Sequence, residues 1–129
     1  MTESDRYAAG RKVLSSMLGE AAAKASAEKM RTLHPEFERL VMEQVMHDLY
    51  GRDGLDIKTR LLCTIAALTV LGRPQQLAVH IDRALGCGAT RTEIEEVMLQ
   101  MSAFGGFPAT WDALTVLQGQ KRVDGEKTG

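Results

Sequence analysis

The chain has 129 residues and carries 16 lysine and arginine residues against 17 aspartate and glutamate residues, a formal net charge of −1 at pH 7. This length is typical of one domain, so we expect residues 1–129 to form a single domain. A chain this close to neutrality exerts no long-range attraction on phosphate backbones or anionic lipid, and we therefore exclude nucleic acid and the membrane surface as partners.

The N-terminal segment lacks the features of an export signal. Residues 1–11 are polar and carry Glu3, Asp5 and Arg6 where a signal peptide needs an uninterrupted apolar core. The longest weakly polar run, residues 61–72, is shorter than the ~20 apolar residues that cross a bilayer. We therefore expect a cytoplasmic protein in which this run forms a buried helix.

Helical periodicity begins near the N-terminus. A first helix is predicted over residues 5–18, and Gly19 ends it. An alanine-rich stretch follows at residues 20–30, and a second helix is predicted to begin at Pro35 and to end before Gly51. Apolar side chains repeat every four residues along this second helix at Phe37, Val41, Val45 and Leu49.

The middle of the chain predicts two helices joined by a very tight turn. Asp56 is a good N-cap for a third helix that runs through Leu71, and its apolar residues fall on all sides. We therefore expect this helix to be central and buried. Gly72 closes it, and Pro74 begins a fourth helix. The apolar stripe of the fourth helix is Leu77, Ile81, Ala84 and Leu85.

The last third of the chain carries the clearest local signal. Thr90 and Glu93 have the spacing of a capping box, which begins a fifth helix. Gly105-Gly106 ends it, and Pro108 begins a last helix through about Lys121. The sequence thus predicts about six short helices and no strand, an all-α fold in a single compact bundle.

Cysteine spacing argues against metal and dithiol chemistry. Cys63 and Cys87 form neither a Cys-x-x-Cys pair nor part of a metal-ligand cluster, so we predict no metal site. Neither cysteine stands beside an identifiable base, and both are interpreted as small buried hydrophobic residues.

Short motifs spread from position 6 to position 113 resemble, in their order, the γ-carboxymuconolactone decarboxylase family. The motifs include Arg6-Tyr7, Glu43, Tyr50-Gly51-Arg52, Gly54-Leu55-Asp56, Thr59-Arg60, Arg73-Pro74, Gln76-Leu77, His80, Thr90 with Glu93-Ile94, Pro108-Ala109 and Asp112-Ala113. The resemblance implies an alkylhydroperoxidase D-like fold assembled as a trimer or hexamer. It also implies cofactor-independent decarboxylation of 4-carboxymuconolactone to 3-oxoadipate enol-lactone, or of a close relative, in aromatic-acid catabolism.

Such a reaction needs residues that hold carboxylates and a residue that delivers a proton. His80 matches a family motif and is our candidate acid and oxyanion partner, because histidine exchanges a proton near neutral pH. Arg73 and Gln76 share its helix face at offsets of seven and four residues, and we expect them to bind the small-molecule substrate. The alternative for His80 is a ring that caps a carbonyl or packs at a subunit interface.

Two further charged residues have open roles. Glu43 resembles a family glutamate and lies one turn from both Arg39 and His47, so it is either catalytic or part of a buried ion pair. Arg60 lies in the first turn of the third helix, where the helix dipole disfavours a cation. Its partner is either a substrate carboxylate or a glutamate at a subunit interface.

Alternatives to a decarboxylase stay open. One is a non-catalytic or ligand-binding paralogue on the same scaffold, because Val45, Met46 and Tyr50 replace aromatic and cysteine residues that the family leads us to expect. Another is a redox protein of the alkylhydroperoxidase D type. The sequence argues against it, because Arg73 and Gln76 occupy the positions where that type has its two cysteines. A bundle of six short helices leaves apolar helix faces uncovered, so we expect a homo-oligomer in each case.

Overall fold

The computed structural model describes residues 3–120, which form helices joined by short loops with no strand among them. The helices are α1 (Glu3–Leu18), α2 (Glu20–Leu33), α3 (Pro35–Leu40) with its π-helical continuation (Val41–Tyr50), α4 (Ile57–Leu71), α5 (Pro74–Gly86), α6 (Arg91–Gly105) and α7 (Phe107–Gly119). The all-α prediction is confirmed. Over this described part, no helix has the length and apolar character that a bilayer crossing requires.

The chain divides into two compact units, residues 1–57 and residues 58–129. The first contains α1, α2, α3 and the π-helical segment, and the second contains α4 to α7. That the whole chain is a single domain stays a prediction.

The core of the first unit forms where α1 packs against the π-helical segment. Leu14, Met42 and Met46 are almost completely buried there. Gly10 allows the two backbones to approach closely, because a Cβ atom at this position would lie 1.8 Å from the carbonyl oxygen of Met42. The π-helix is rare in proteins, and single π-helical turns within α-helices are frequent at functional sites.

One helix of the first unit was not among the six predicted. The alanine-rich stretch forms α2, which brings the described part of the chain to seven helices, counting α3 and its π-helical continuation as one. Alanine has the highest helix propensity, and Ala23 and Ala27 are buried one turn apart on one face. The pattern was missed because small alanine side chains give little contrast between an apolar and a polar face.

The second unit begins with α4, which is not buried on all sides as predicted. Leu61, Ile65 and Thr69 are buried along one face, whereas Cys63 and Val70 are exposed. The apolar residues are distributed as the sequence indicates, but within the chain only one face is covered. The prediction for α5 is confirmed more closely, since its Leu77, Ile81 and Ala84 are all buried.

Helices α6 and α7 pack as an antiparallel pair tied by side-chain hydrogen bonds. Buried Arg91, at the start of α6, donates to the carbonyl of Leu117, near the end of α7, at 2.9 Å.

The predicted capping box at the start of α6 is confirmed, because the Thr90 hydroxyl accepts from the Glu93 amide at 3.0 Å and the Thr90 amide donates to the Glu93 carboxylate at 2.9 Å. Helix α7 ends at Gly119, so the predicted end at Lys121 lies outside the described residues.

Candidate functional site

Three of the five predicted site residues lie between the N-cap and the middle of α5. A tight turn places them there, because Gly72 adopts a left-handed φ of 69° and the amides of Gly72 and Arg73 both donate to the carbonyl of Leu68. Pro74 then occupies the first helical turn, where its missing N–H costs nothing. Arg73 is therefore held at the N-terminus of α5, ahead of Gln76 and His80.

The His80 ring is fixed by a hydrogen bond to the backbone of its own helix. Its Nδ1 lies 2.8 Å from the carbonyl oxygen of Gln76, one turn earlier. A carbonyl only accepts hydrogen bonds, so Nδ1 carries a hydrogen whether the ring is neutral or charged. Over residues 3–120, Nε2 makes no hydrogen bond. Proton exchange at His80 therefore takes place at Nε2.

The surroundings of His80 favour its neutral form. Partial burial of the ring lowers the pKa below its usual value, and the positive charge of Arg83 on the next turn lowers it further. The hydrogen bond to Gln76 opposes this shift without cancelling it. Once protonated, His80 is thus a stronger acid than an ordinary histidine.

Arg73, the N-cap residue of α5, and Gln76, in its first turn, line one surface groove, and His80 is not part of this lining. That the three residues act on one helix face stays a prediction. The groove has a volume of about 380 Å³ and is formed by residues 72–76. The Arg73 guanidinium is exposed and makes no hydrogen bond or ion pair within the described chain. It also borders a smaller cavity of about 30 Å³, together with Asp112 and Leu77. An exposed guanidinium at a groove is well placed to bind a carboxylate.

Arg60 lies in the same unit but on a different helix. It is half-buried in the first turn of α4, and its carbonyl accepts from the Thr64 hydroxyl at 3.0 Å. Lys58, two residues earlier, forms an ion pair of 2.9 Å with Glu93 at the start of α6. The substrate-binding role of Arg60 stays a prediction.

Glu43 lies in the first unit, within the π-helical segment, and is 1% exposed. Its Oε1 accepts from Arg39 at 2.7 Å and lies 3.7 Å from a guanidinium nitrogen of Arg6. Oε2 is buried without a hydrogen-bond partner among the residues described. Among the described residues His47 makes no hydrogen bond or ion pair with Glu43, and its Nδ1 lies 2.7 Å from a carboxylate oxygen of Asp48. The sequence allows Glu43 to contact Arg39 or His47, and the structure shows the ion pair with Arg39. The catalytic role of Glu43 stays a prediction.

A second buried carboxylate, Glu38, was missed by sequence reasoning. It is 3% exposed, accepts a hydrogen bond of 2.6 Å from the Tyr7 hydroxyl and lies 3.6 Å from Arg31. Burial, and next the Glu38 carboxylate, raise the pKa of Tyr7. In the sequence, Glu38 lies close to Glu36 and Arg39, a concentration of charge that is typical of a solvated helix face. The only sequence signal was Tyr7, which belongs to one of the family motifs.

The buried carboxylate of Glu43 gives a stability prediction. Glu43→Gln keeps the size of the side chain but leaves Arg39 and Arg6 without its negative charge. We expect a loss of about 1–3 kcal/mol in the free energy of unfolding, measured by urea denaturation. Glu36→Gln is the matched control, because Glu36 also pairs with Arg39 but is largely exposed. Equal losses in both variants would contradict a special contribution from the buried pair.

The cysteines are placed differently from the prediction. Cys63 is exposed rather than buried, and Cys87 is half-buried at the end of α5. Burial raises the pKa of the Cys87 thiol, which disfavours the reactive thiolate. Within the described residues, no group of three or more histidine, cysteine, aspartate or glutamate side chains is arranged to hold a metal ion.

Comparison with known proteins places the chain in a family. The chain is 44% identical over 91 residues to an uncharacterized 15.0 kDa protein of Paracoccus denitrificans, covering 69% of this chain and 68% of that one. It is 32% identical over 110 residues to the 4-carboxymuconolactone decarboxylase of Acinetobacter baylyi, covering 85% and 82%. It is 30% identical over 81 residues to the nitrosuccinic acid decarboxylase of Metarhizium robertsii, covering 63% and 57%. Residues 35–119 match the carboxymuconolactone decarboxylase family, and the chain belongs to that family.

Proposed function

We propose that this protein is a cytoplasmic enzyme of aromatic-acid catabolism that removes CO₂ from a carboxylated lactone such as 4-carboxymuconolactone. The observation that carries the proposal is the geometry of His80. Its Nδ1 is occupied by the Gln76 carbonyl, and its Nε2 has no partner among the described residues. An exposed Arg73 is the N-cap residue of the helix that carries His80.

The reaction needs a single proton. The bond between the ring carbon and the carboxylate breaks, CO₂ leaves, and the electron pair moves into the unsaturated lactone carbonyl to form a dienolate. Nε2–H of protonated His80 then donates its proton to a carbon atom of the dienolate, which gives the enol-lactone and neutral His80. Solvent restores the proton on Nε2. No step requires an oxidant, and none requires a metal or organic cofactor in principle.

The remaining residues bind and polarise the substrate. Arg73 offers a planar fork that matches a carboxylate, and Gln76 lines the same groove with an amide that can donate to an oxygen. Arg60 is the second candidate for a carboxylate of the substrate. A catalytic role of Glu43 is a separate part of the proposal, supported within the first unit by its buried Oε2, which has no hydrogen-bond partner among the described residues.

Two of the relatives support decarboxylation as the reaction class. One is named for 4-carboxymuconolactone and the other for nitrosuccinic acid, so the names share loss of a carboxyl group but differ in the acid. The relative with 44% identity is uncharacterized. The lactone is therefore the part of the proposal that most needs an experiment.

The direct test is incubation of the purified protein with 4-carboxymuconolactone while CO₂ release and formation of the enol-lactone are followed. We expect release of one CO₂ for each lactone consumed. If the folded protein binds the lactone and releases no CO₂, the proposed decarboxylase activity is contradicted and a ligand-binding paralogue is favoured.

The pKa of His80 predicts the pH profile. Because the protonated ring is the acid, kcat/KM falls as pH rises through the pKa of His80 in the free enzyme. Burial and Arg83 lower this pKa, so we expect the midpoint below the ordinary histidine value of about 6.5. The measurement is kcat/KM from acid to mildly basic pH, with circular dichroism at each pH. A kcat/KM that rises with pH would assign His80 the role of a base.

Replacement of both cysteines tests the redox alternative. Cys63→Ser combined with Cys87→Ala should leave decarboxylation unchanged, because Cys63 is exposed and burial raises the pKa of Cys87. The measurements are CO₂ release and thiol labelling before and after peroxide treatment. Loss of activity with an intact helical signal would contradict the proposed mechanism and favour thiol chemistry.

A further inference from the structure

A small cavity lies beside the groove of residues 72–76. Its volume is about 30 Å³, whereas the groove has a volume of about 380 Å³. Gly72, Arg73 and Pro74 line both spaces. The cavity and the groove are therefore neighbours at the tight turn between α4 and α5.

The walls of the cavity are mainly apolar. They come from α4, α5 and α7 and include Leu68, Leu77, Ala109, Ala113 and Val116. Thr69 also lines the cavity, but its hydroxyl donates to the carbonyl of Ile65 at 2.8 Å. The amides of Gly72 and Arg73 both donate to the carbonyl of Leu68. A buried water typically makes about three hydrogen bonds, so this cavity suits a small molecule without hydrogen-bond donors better than it suits water.

The size of the cavity limits what it can hold. One water-sized probe needs about 10–15 Å³, so a cavity of about 30 Å³ accepts a group of two or three heavy atoms and excludes a lactone ring. CO₂ has three heavy atoms, no net charge and no N–H or O–H group. Among the species of the proposed reaction, CO₂ therefore fits the cavity in both size and polarity.

Two side chains of opposite charge border the cavity. Arg73 and Asp112 are both exposed, and within the described residues they form no ion pair with each other. The Asp112 carboxylate repels another carboxylate from the cavity but does not repel neutral CO₂. A guanidinium bound to the departing carboxylate would stabilise the substrate before the bond breaks and would slow the reaction. Arg73 therefore suits the carboxylate that the substrate keeps, since 4-carboxymuconolactone has two carboxylates and loses one.

We propose that the cavity lined by Leu77, Ala109 and Ala113 receives CO₂ as it leaves the substrate, an inference that rests on the proposed decarboxylation. The bond between the ring carbon and the carboxylate breaks, and its electron pair stays with the lactone as the dienolate. Neutral CO₂ moves from the groove into the cavity. Its removal prevents the dienolate from attacking CO₂ again before His80 donates a proton. The cavity thus makes the loss of CO₂ effectively irreversible.

Binding to the cavity is tested with nitrous oxide, a linear isostere of CO₂ that does not hydrate. Methyl NMR spectra of the full-length protein are recorded under nitrous oxide and under nitrogen. We expect the methyl signals of Leu77 and Ala113 to shift, whereas those of Leu14, in the core of the first unit, should not. Ala109→Val should abolish the shift, because its added methyl groups occupy the cavity.

The kinetic test uses the same variant. With the cavity filled, CO₂ returns to the dienolate before protonation, so Ala109→Val should lower kcat about tenfold at a nearly unchanged KM. Protonation then limits the rate. The solvent deuterium isotope effect on kcat/KM should therefore rise, and the ¹³C isotope effect at the departing carboxylate should fall. A purely structural loss of activity would change neither isotope effect.

The matched control is Ala66→Val, because Ala66 is half-buried on α4 and does not line the cavity. This variant should keep the rate, the isotope effects and the nitrous oxide shift of the wild type. Circular dichroism checks folding, and Val116→Ile fills the same cavity if Ala109→Val loses its helical signal.

The outcomes separate this inference from the proposed function. A wild type that decarboxylates the lactone but shows no nitrous oxide shift would overturn the CO₂ cavity alone. Wild-type kcat and isotope effects in a folded cavity variant would do the same. If nitrous oxide binds in the cavity but no lactone is decarboxylated, the proposed function fails and this inference fails with it.

Discussion

His80→Ala is expected to lower kcat/KM for decarboxylation by about 10²–10⁴-fold, which is the usual size of a general-acid contribution. We expect the loss because Nε2 is the atom of His80 that exchanges a proton. Its Nδ1 is held by the Gln76 carbonyl at 2.8 Å. The ring is half-buried and makes no other hydrogen bond in the described chain, so the helical fold should persist. The measurement is steady-state and single-turnover CO₂ release, with circular dichroism alongside.

His80→Gln separates two contributions of the ring. Glutamine keeps a hydrogen-bond donor for an oxyanion but has no titrating proton, so it should restore part of the rate and abolish the pH dependence assigned to His80. His34→Asn is the control, because His34 is an exposed histidine that caps α3 and asparagine can also cap a helix. Wild-type rate and pH profile in both His80 variants would show that His80 is structural.

Local signals allowed most of the fold to be predicted. Pro35, Pro74 and the Thr90 capping box mark helix starts through backbone chemistry within a few residues, and the structure places helices there. Helix α2 was missed because alanine supports a helix without defining a face. The burial of α4 was overestimated because periodicity shows which residues are apolar but not which faces are covered.

The candidate site was predictable only where its residues share a helix. Arg73 and Gln76 line one groove because they lie three residues apart at the beginning of α5. The pair of Glu43 with Arg39 follows from a separation of one helical turn. The contact of Arg6 with Glu43 and the burial of Glu38 against Tyr7 join positions far apart in the chain. No local pattern encodes such contacts, because they arise from the packing of α1 against later helices.

Arg73→Gln is expected to lower kcat/KM about 10–100-fold, chiefly through a higher KM. The reason is that a charge-assisted hydrogen bond is worth about 1.5–3 kcal/mol, and each 1.4 kcal/mol corresponds to about tenfold in affinity. In the described chain the Arg73 guanidinium has no protein partner, so it is available to a carboxylate at the groove of residues 72–76. Arg73→Lys keeps the charge but loses the planar fork, and we expect an intermediate effect.

Removal of a positive charge also changes the attraction between the whole protein and an anionic substrate, so Arg73→Gln needs a control of equal charge. Lys24→Gln provides it, because Lys24 is exposed on α2 and lies outside the predicted site. Kinetics at two salt concentrations separate local binding from long-range attraction, since salt screens the latter more strongly. If Arg73→Gln and Lys24→Gln raise KM equally, Arg73 does not bind the substrate carboxylate, and Arg60 becomes the residue to test.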